Sequence, residues 1–363
     1  MRHLILVTLL SVATMPCGFA QSSAPEPKVM AAVDGVLEAF TAYPVVALGD
    51  SHGMAQEEDF YATLVRSPRF ATEVGNVVVE FGDAAQQHTL DRYLSGEEIP
   101  YPELRKVWAD TVGWLPTVTS LGYINFYAQV REVNRKLQPE QQIHVWLGDP
   151  AVDWAQVKTE ADLPKESRDQ VPAEILKKLL GKHKKALLIY GMGHFYGPDS
   201  IKARVEQQYP NAVFLIHPYS GFQEEVCSTA FETLAQSWGR NSLISPVRGS
   251  SLEGRLKMAG CHVLPPNPGI FPPGYTAEQK AHSVAMMEEQ QSGVGADALL
   301  YLGPAGTLTR SQESPDLYMD AAFRKEIVRR AEIMLGRSLT DTPVNIIPMS
   351  PRYVRSYGGA VPK

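Results

Sequence analysis

The sequence is poor in cysteine, in clustered positive charge and in long apolar runs. Of its three cysteines, Cys17 lies in an N-terminal leader, which leaves Cys227 and Cys261, too few for the disulfide framework that holds small secreted domains together. Those two could close a loop of about 35 residues, worth ~3–4 kcal/mol on a chain-entropy account, or could stand as buried thiols. Past the leader no segment reaches the ~18 apolar residues of a membrane-spanning helix. The net charge is −6 and no basic cluster is longer than the "KHKK" of Lys182 to Lys185, which excludes nucleic acid as a partner, because that affinity rests on grouped Lys and Arg. There is no Gly-x-Ser-x-Gly elbow, which excludes a serine nucleophile of the α/β-hydrolase type. The lack of Cys-x-x-Cys-His excludes covalently attached haem, and the lack of a repeat excludes a solenoid.

What is present begins with "MRHLILVTLLSVATMPCGFAQSS". Arg2 and His3 precede an apolar run from Leu4 to about Met15, and small residues follow at Gly18 and Ala20. This is the layout of a secretory signal peptide over residues 1–20 with cleavage near Ala20, so a periplasmic or secreted location is expected. Acylation of Cys17 is disfavoured, since proline stands where a small residue should precede the cysteine.

A single α/β domain is expected over residues 21–338, followed by an extended tail, 339–363. The spacing predicts a helix over Val29 to Phe40 and then six apolar strands. These are Val45 to Leu48, Asn76 to Gly82, Gln142 to Asp149, Lys185 onward in "KALLIYGMGH", Ala212 to His217, and Asp297 to Gly303. Helical segments separate them, among them a stretch with Phe60, Leu64 and Val65 on one side and acids in its first turns. Strands apolar throughout and alternating with helices indicate a mostly parallel sheet with helices on both faces. Between the last two strands an insertion runs from about Gly221 to Gly295. Its "LPPNPGIFPPG" (Leu264 to Gly274) is too rich in proline for a helix or a central strand. Such an excursion serves either as the wall of a pocket or as surface decoration.

In a parallel sheet the loops after the strands line the functional crevice. The strand ends here deliver Asp50 and His52, Glu80, Asp149, His194 and His217. Each alone has a plain structural reading, as a helix cap or a satisfied loop residue, but their recurrence on successive strands points to a shared polar site. Glu80 follows "VVV", where a carboxylate is costly unless an imidazolium or a metal pairs with it. "GDSH" at Gly49 to His52 and "GMGH" at Gly191 to His194 space glycine and histidine identically, and glycine allows a sharp exit and close approach to the backbone.

On these motifs the chain resembles the superfamily that joins ChaN-like haem-uptake proteins, Tiki/TraB-type metalloproteases and erythromycin esterases, and it looks most like the ChaN-like branch. "GDSH" is similar to that branch's Gly-Glu-x-His with aspartate for glutamate. "VVVEF", the segment "AAQQHTLDRYLSGEE" from Ala84 to Glu98, and "GMGH" follow the same order. The resemblance spans about Val45 to His217. It implies three different chemistries. A Tiki-like site would cast His52, Glu80 and His194 around a divalent metal such as zinc, manganese or cobalt. An erythromycin-esterase-like site would use the acids and histidines alone to activate water, and a ChaN-like protein would bind haem.

The hydrolytic reading makes His52 or His194 the general base, oriented by Asp50 or Glu80, with Asp149 orienting the partner histidine or the substrate. The metal version leaves an open position for ionised water. The substrate would be a small molecule or a peptide. The alternative reading is haem binding through His194, Tyr196, His217 or Tyr219, and a third is a scaffold without catalysis. Hydrolysis of an ester or peptide bond is the favoured expectation.

Overall fold

A computed structural model of the chain describes residues 24–112, 120–165, 167–221, 225–256 and 295–335. The leader, the proline-dense loop, Cys261 and the tail 339–363, to which several expectations refer, lie outside the described residues.

Eight strands form one sheet in the order β1-β7-β8-β6-β2-β5-β3-β4. They are β1 (Lys28–Ala31), β2 (Val45–Asp50), β3 (Asn76–Asp83), β4 (His144–Asp149), β5 (Ala186–Gly191), β6 (Val213–Pro218), β7 (Ser242–Ser245) and β8 (Ala298–Tyr301). The six from β8 to β4 pair in parallel, and these are the six strands expected from the apolar runs. β7 runs antiparallel to both β8 and β1.

Two differences from expectation concern this edge. Lys28–Ala31 is a strand and the helix begins only at Ala32, because pairing with β7 overrides a helical periodicity that includes Val29 and Met30. β7 comes from within the stretch expected to be an insertion, so part of that stretch completes the sheet. At four residues it is too short to stand out as an apolar run.

Side chains alternate along a strand, and the strands divide their apolar residues accordingly. Val46, Leu48, Val77, Val79, Leu187 and Ile189 join Phe60, Leu64, Leu90 and Phe126 in one buried cluster. Val45, Ala47, Val78, Leu188 and Tyr190 join Leu176, Leu179, Ile201 and Val205 in another. The helices that follow β2 and β3 therefore pack into the first cluster, and those that follow β4 and β5 into the second. β5 lies between β2 and β3 in the sheet, so the ends of these three strands stand side by side.

The outer strand β4 would expose unpaired backbone groups to edge-to-edge pairing. Two amide side chains close it. Gln87 Nε2 donates to the Val145 carbonyl and Gln87 Oε1 accepts from Leu147 N, both at 2.9 Å. Asn134 does the same one step earlier, accepting from Ile143 N at 2.8 Å and donating to its carbonyl at 2.9 Å.

Candidate active site

The adjacent ends of β2, β5 and β3 bring the polar residues of the strand ends together. β2 ends at Asp50, and His52 then adopts φ +44°, followed by Gly53 at φ +78°. The left-handed conformation is unfavourable for a residue with a Cβ, and here the surroundings hold it in place. Asp50 Oδ1 accepts from His52 N at 2.9 Å, Glu57 Oε2 accepts from Ser51 N at 2.8 Å, and the Tyr123 hydroxyl accepts from Gly53 N at 3.4 Å. The turn sends the imidazole back over the strand ends, where His52 Nδ1 meets Asp50 Oδ2 at 3.1 Å.

Glu80 is the centre of the arrangement and is fully buried. Its Oε2 accepts from Gly191 N at 2.6 Å and lies 3.8 Å from His52 Nε2. Its Oε1 accepts from Arg168 Nη2 at 2.6 Å and lies 3.4 Å from His194 Nε2. His194 Nδ1 is hydrogen-bonded to Asp169. Arg168 Nε donates at 2.8 Å to Asp149 Oδ1, whose other oxygen accepts from Val112 N at 2.6 Å. The structure thus brings Asp50, His52, Glu80, Asp149 and His194 into one network. It adds Arg168 and Asp169, which no strand pattern marked, since they stand in the "SRD" that precedes the helix Gln170–Leu180.

Gly191 has to be small because of this packing. A Cβ there would stand 2.5 Å from His52 Nε2 and 3.1 Å from Glu80 Oε2. The glycine of "GMGH" therefore seats the histidine of "GDSH".

Burial opposes ionisation of Glu80, but His52, His194 and Arg168 outweigh it and hold the carboxyl well below the usual range. Burial likewise opposes charging the histidines. The carboxylates of Glu80 and Asp50 nevertheless raise His52 above 6.5, and Glu80 with Asp169 raises His194 to about 9. Burial pushes Asp149 up, against the pull of Arg168. Both imidazoles keep nearly a fifth of their side-chain surface exposed, at 19% and 18%, so both can reach a bound molecule.

The metal set of His52, Glu80 and His194 does not fit this geometry. Each Glu80 oxygen already accepts from a donor within 2.6 Å, one of them a guanidinium. Among the described residues no group of three or more His, Cys, Asp or Glu could hold a metal ion.

The residues proposed as haem ligands have different surroundings. Tyr219 donates to Glu232 Oε1 at 2.9 Å and stacks on Phe231 in a third cluster, whereas Tyr196 is buried in the second. His217 stands on β6, lowered by burial to about 4 and so neutral.

No protein-family model and no curated protein matches the chain. Among solved structures, the type III effector HopBA1 is similar at a TM-score of 0.35 and 13% identity, over 57% of this chain and 91% of that one. ChaN of Campylobacter jejuni, solved with cofacially bound heme, is similar at a TM-score of 0.33 and 12% identity, over 55% and 93%. Both scores mark distant likeness. No helix among the described residues is long and apolar enough to cross a membrane.

Proposed function

We propose that the protein is a hydrolase that activates water without a metal ion and cleaves an ester bond, acting outside the cytoplasm, with helices on both faces of its sheet. One observation carries this reading: a buried carboxylate, Glu80, stands between two imidazoles whose Nδ1 atoms are each tied to a separate acid. The tied Nδ1 fixes the tautomer and ring plane. Both Nε2 atoms stand farther from Glu80 than the 2.7–3.2 Å of a usual N–H···O bond, so each can exchange a proton with a third atom.

The two rings differ in proton affinity, which divides the roles. His52, once neutral, takes a proton from the water that attacks the ester carbonyl. His194, still protonated near neutrality, gives its proton to the departing alkoxide. The alcohol and the acid leave, His52 then releases its extra proton to solvent and His194 regains one from solvent, since both rings are partly exposed. Arg168 keeps Glu80 ionised throughout.

The test is an initial-rate survey of p-nitrophenyl and lactone esters in the presence of EDTA. The proposal expects turnover that survives the chelator and falls by about 100-fold or more in His52→Ala and Glu80→Gln. Equal rates in the wild type and both variants would refute it. The leader of residues 1–20 supports export, and detection of a chain starting near Gln21 in the medium or periplasm would test that part.

A further inference from the structure

Beneath the histidines lies a residue that the acid–base assignment does not use. Tyr123, in the first turns of the helix Leu121–Asn134, is fully buried. Its hydroxyl donates to Asp50 Oδ2, the same oxygen that faces His52 Nδ1, and accepts from Gly53 N. Its ring stacks on Phe81 with centroids 4.4 Å apart, and Phe81 directly follows Glu80. One side chain therefore touches both the turn that carries His52 and the strand that carries Glu80.

The helix is in turn anchored to that turn by a third segment. Ser311 N donates to the Gly53 carbonyl and Leu121 N to the Gln312 carbonyl, both at 2.8 Å. The Ser120 hydroxyl donates to Glu58 Oε1 at 2.6 Å and accepts from the Ser311 hydroxyl at 2.8 Å. Gly122 presses on Glu58 so closely that a Cβ would meet its carboxyl at 1.8 Å. Tyr123 thus projects from a backbone pinned to the His52 side of the site.

We propose that Tyr123 is a positioning residue for this site: by holding the Asp50 carboxylate and the Gly53 amide together, its hydroxyl fixes the His52 ring against Asp50 and aims Nε2 towards Glu80. Asp50 is almost wholly buried and draws its donors from His52 and Tyr123. Without the phenol the carboxylate can rotate, and the left-handed turn loses a tether. The inference uses the hydrolytic reading only where activity is measured.

The test is Tyr123→Phe in the full protein labelled with 15N-histidine, observed by NMR at the downfield proton of His52 Nδ1–H. The expected result is loss or displacement of that signal, with kcat reduced about 10–100-fold and KM little changed, as misplacement of a reacting group predicts. Tyr127→Phe is the control. Tyr127 is equally buried in the same helix, but its hydroxyl donates to the Phe81 carbonyl at 2.7 Å, so its removal should leave the His52 signal in place. Incorporation of 3-fluorotyrosine, which strengthens the phenol as a donor without removing it, should also displace the signal and serves if Tyr123→Phe does not fold. A His52 signal at its wild-type position in a folded Tyr123→Phe protein would overturn the inference. A displaced signal in a protein that hydrolyses no ester would uphold it while removing the proposed function.

Discussion

Replacing Gly191 by alanine tests how the two histidine motifs fit together. The backbone at Gly191 has φ −51° and ψ 139°, which alanine adopts freely, and the N–H that donates to Glu80 is retained. Only the new methyl matters. It would fall 2.5 Å from His52 Nε2 and 2.9 Å from Cε1, so the ring must retreat by about 1 Å to reach ordinary contact distance. His52 Nε2 now lies 3.8 Å from Glu80 Oε2. At an effective dielectric of about 20 the attraction of an imidazolium for the carboxylate falls from ~4.4 to ~3.5 kcal/mol over that retreat. The loss of ~1 kcal/mol lowers the His52 pKa towards the free imidazole value. A pH titration of 15N-labelled histidine reads this directly and needs no substrate. Activity on any ester found should fall about 100-fold from a misplacement of this size. Stability is not diagnostic, since alanine restricts the unfolded chain by about 0.4–1 kcal/mol and so offsets part of the clash. A folded Gly191→Ala protein with an unshifted His52 would refute the packing described here.

Other outcomes follow from the same contacts. His194 is raised from 6.5 to about 9, so its contribution to stability is fully present below pH 6.5 and is lost as pH rises through about 9. Urea unfolding should show up to about 3 kcal/mol of that loss, and His194→Gln should abolish the slope. Arg168→Gln strands Asp149 in the interior without its cation and leaves Glu80 to the histidines alone, and should cost about 3–5 kcal/mol by denaturant titration. Gln87→Ala uncovers the Val145 carbonyl and the Leu147 amide, with an expected loss of about 1–3 kcal/mol. The opened edge of β4 should also increase light scattering on concentration.

The parallel centre of the sheet was legible because β2, β3, β5 and β6 are buried along nearly their whole length and so read as unbroken apolar runs. β1 and β7 were not, because four residues of an antiparallel edge carry too little pattern to outweigh neighbouring helical spacing. Asp50, His52, Glu80, Asp149 and His194 stood out as polar residues at or just beyond the ends of apolar strands. Arg168 and Asp169 had no such contrast, since they lie in a polar stretch where charge is ordinary. The one available signal was the need of buried Glu80 for a cation, which the sequence answered with a histidine or a metal and the structure answers with two histidines and a guanidinium. Tyr123 was hidden for the opposite reason, as an aromatic on a helix reads as core. The metal expectation drew on residue types that do lie close together, and of their donor atoms the two Glu80 oxygens already accept from Arg168 and Gly191 N.

The pH–rate profile of ester hydrolysis in EDTA tests the central claim most directly, since it asks whether two histidines of unequal affinity act as a pair. The account predicts a bell whose acidic limb lies above 6.5 and is set by His52, and whose alkaline limb lies near 9 and disappears in His194→Gln. A rate abolished by the chelator, or a profile that neither histidine variant alters, would contradict it.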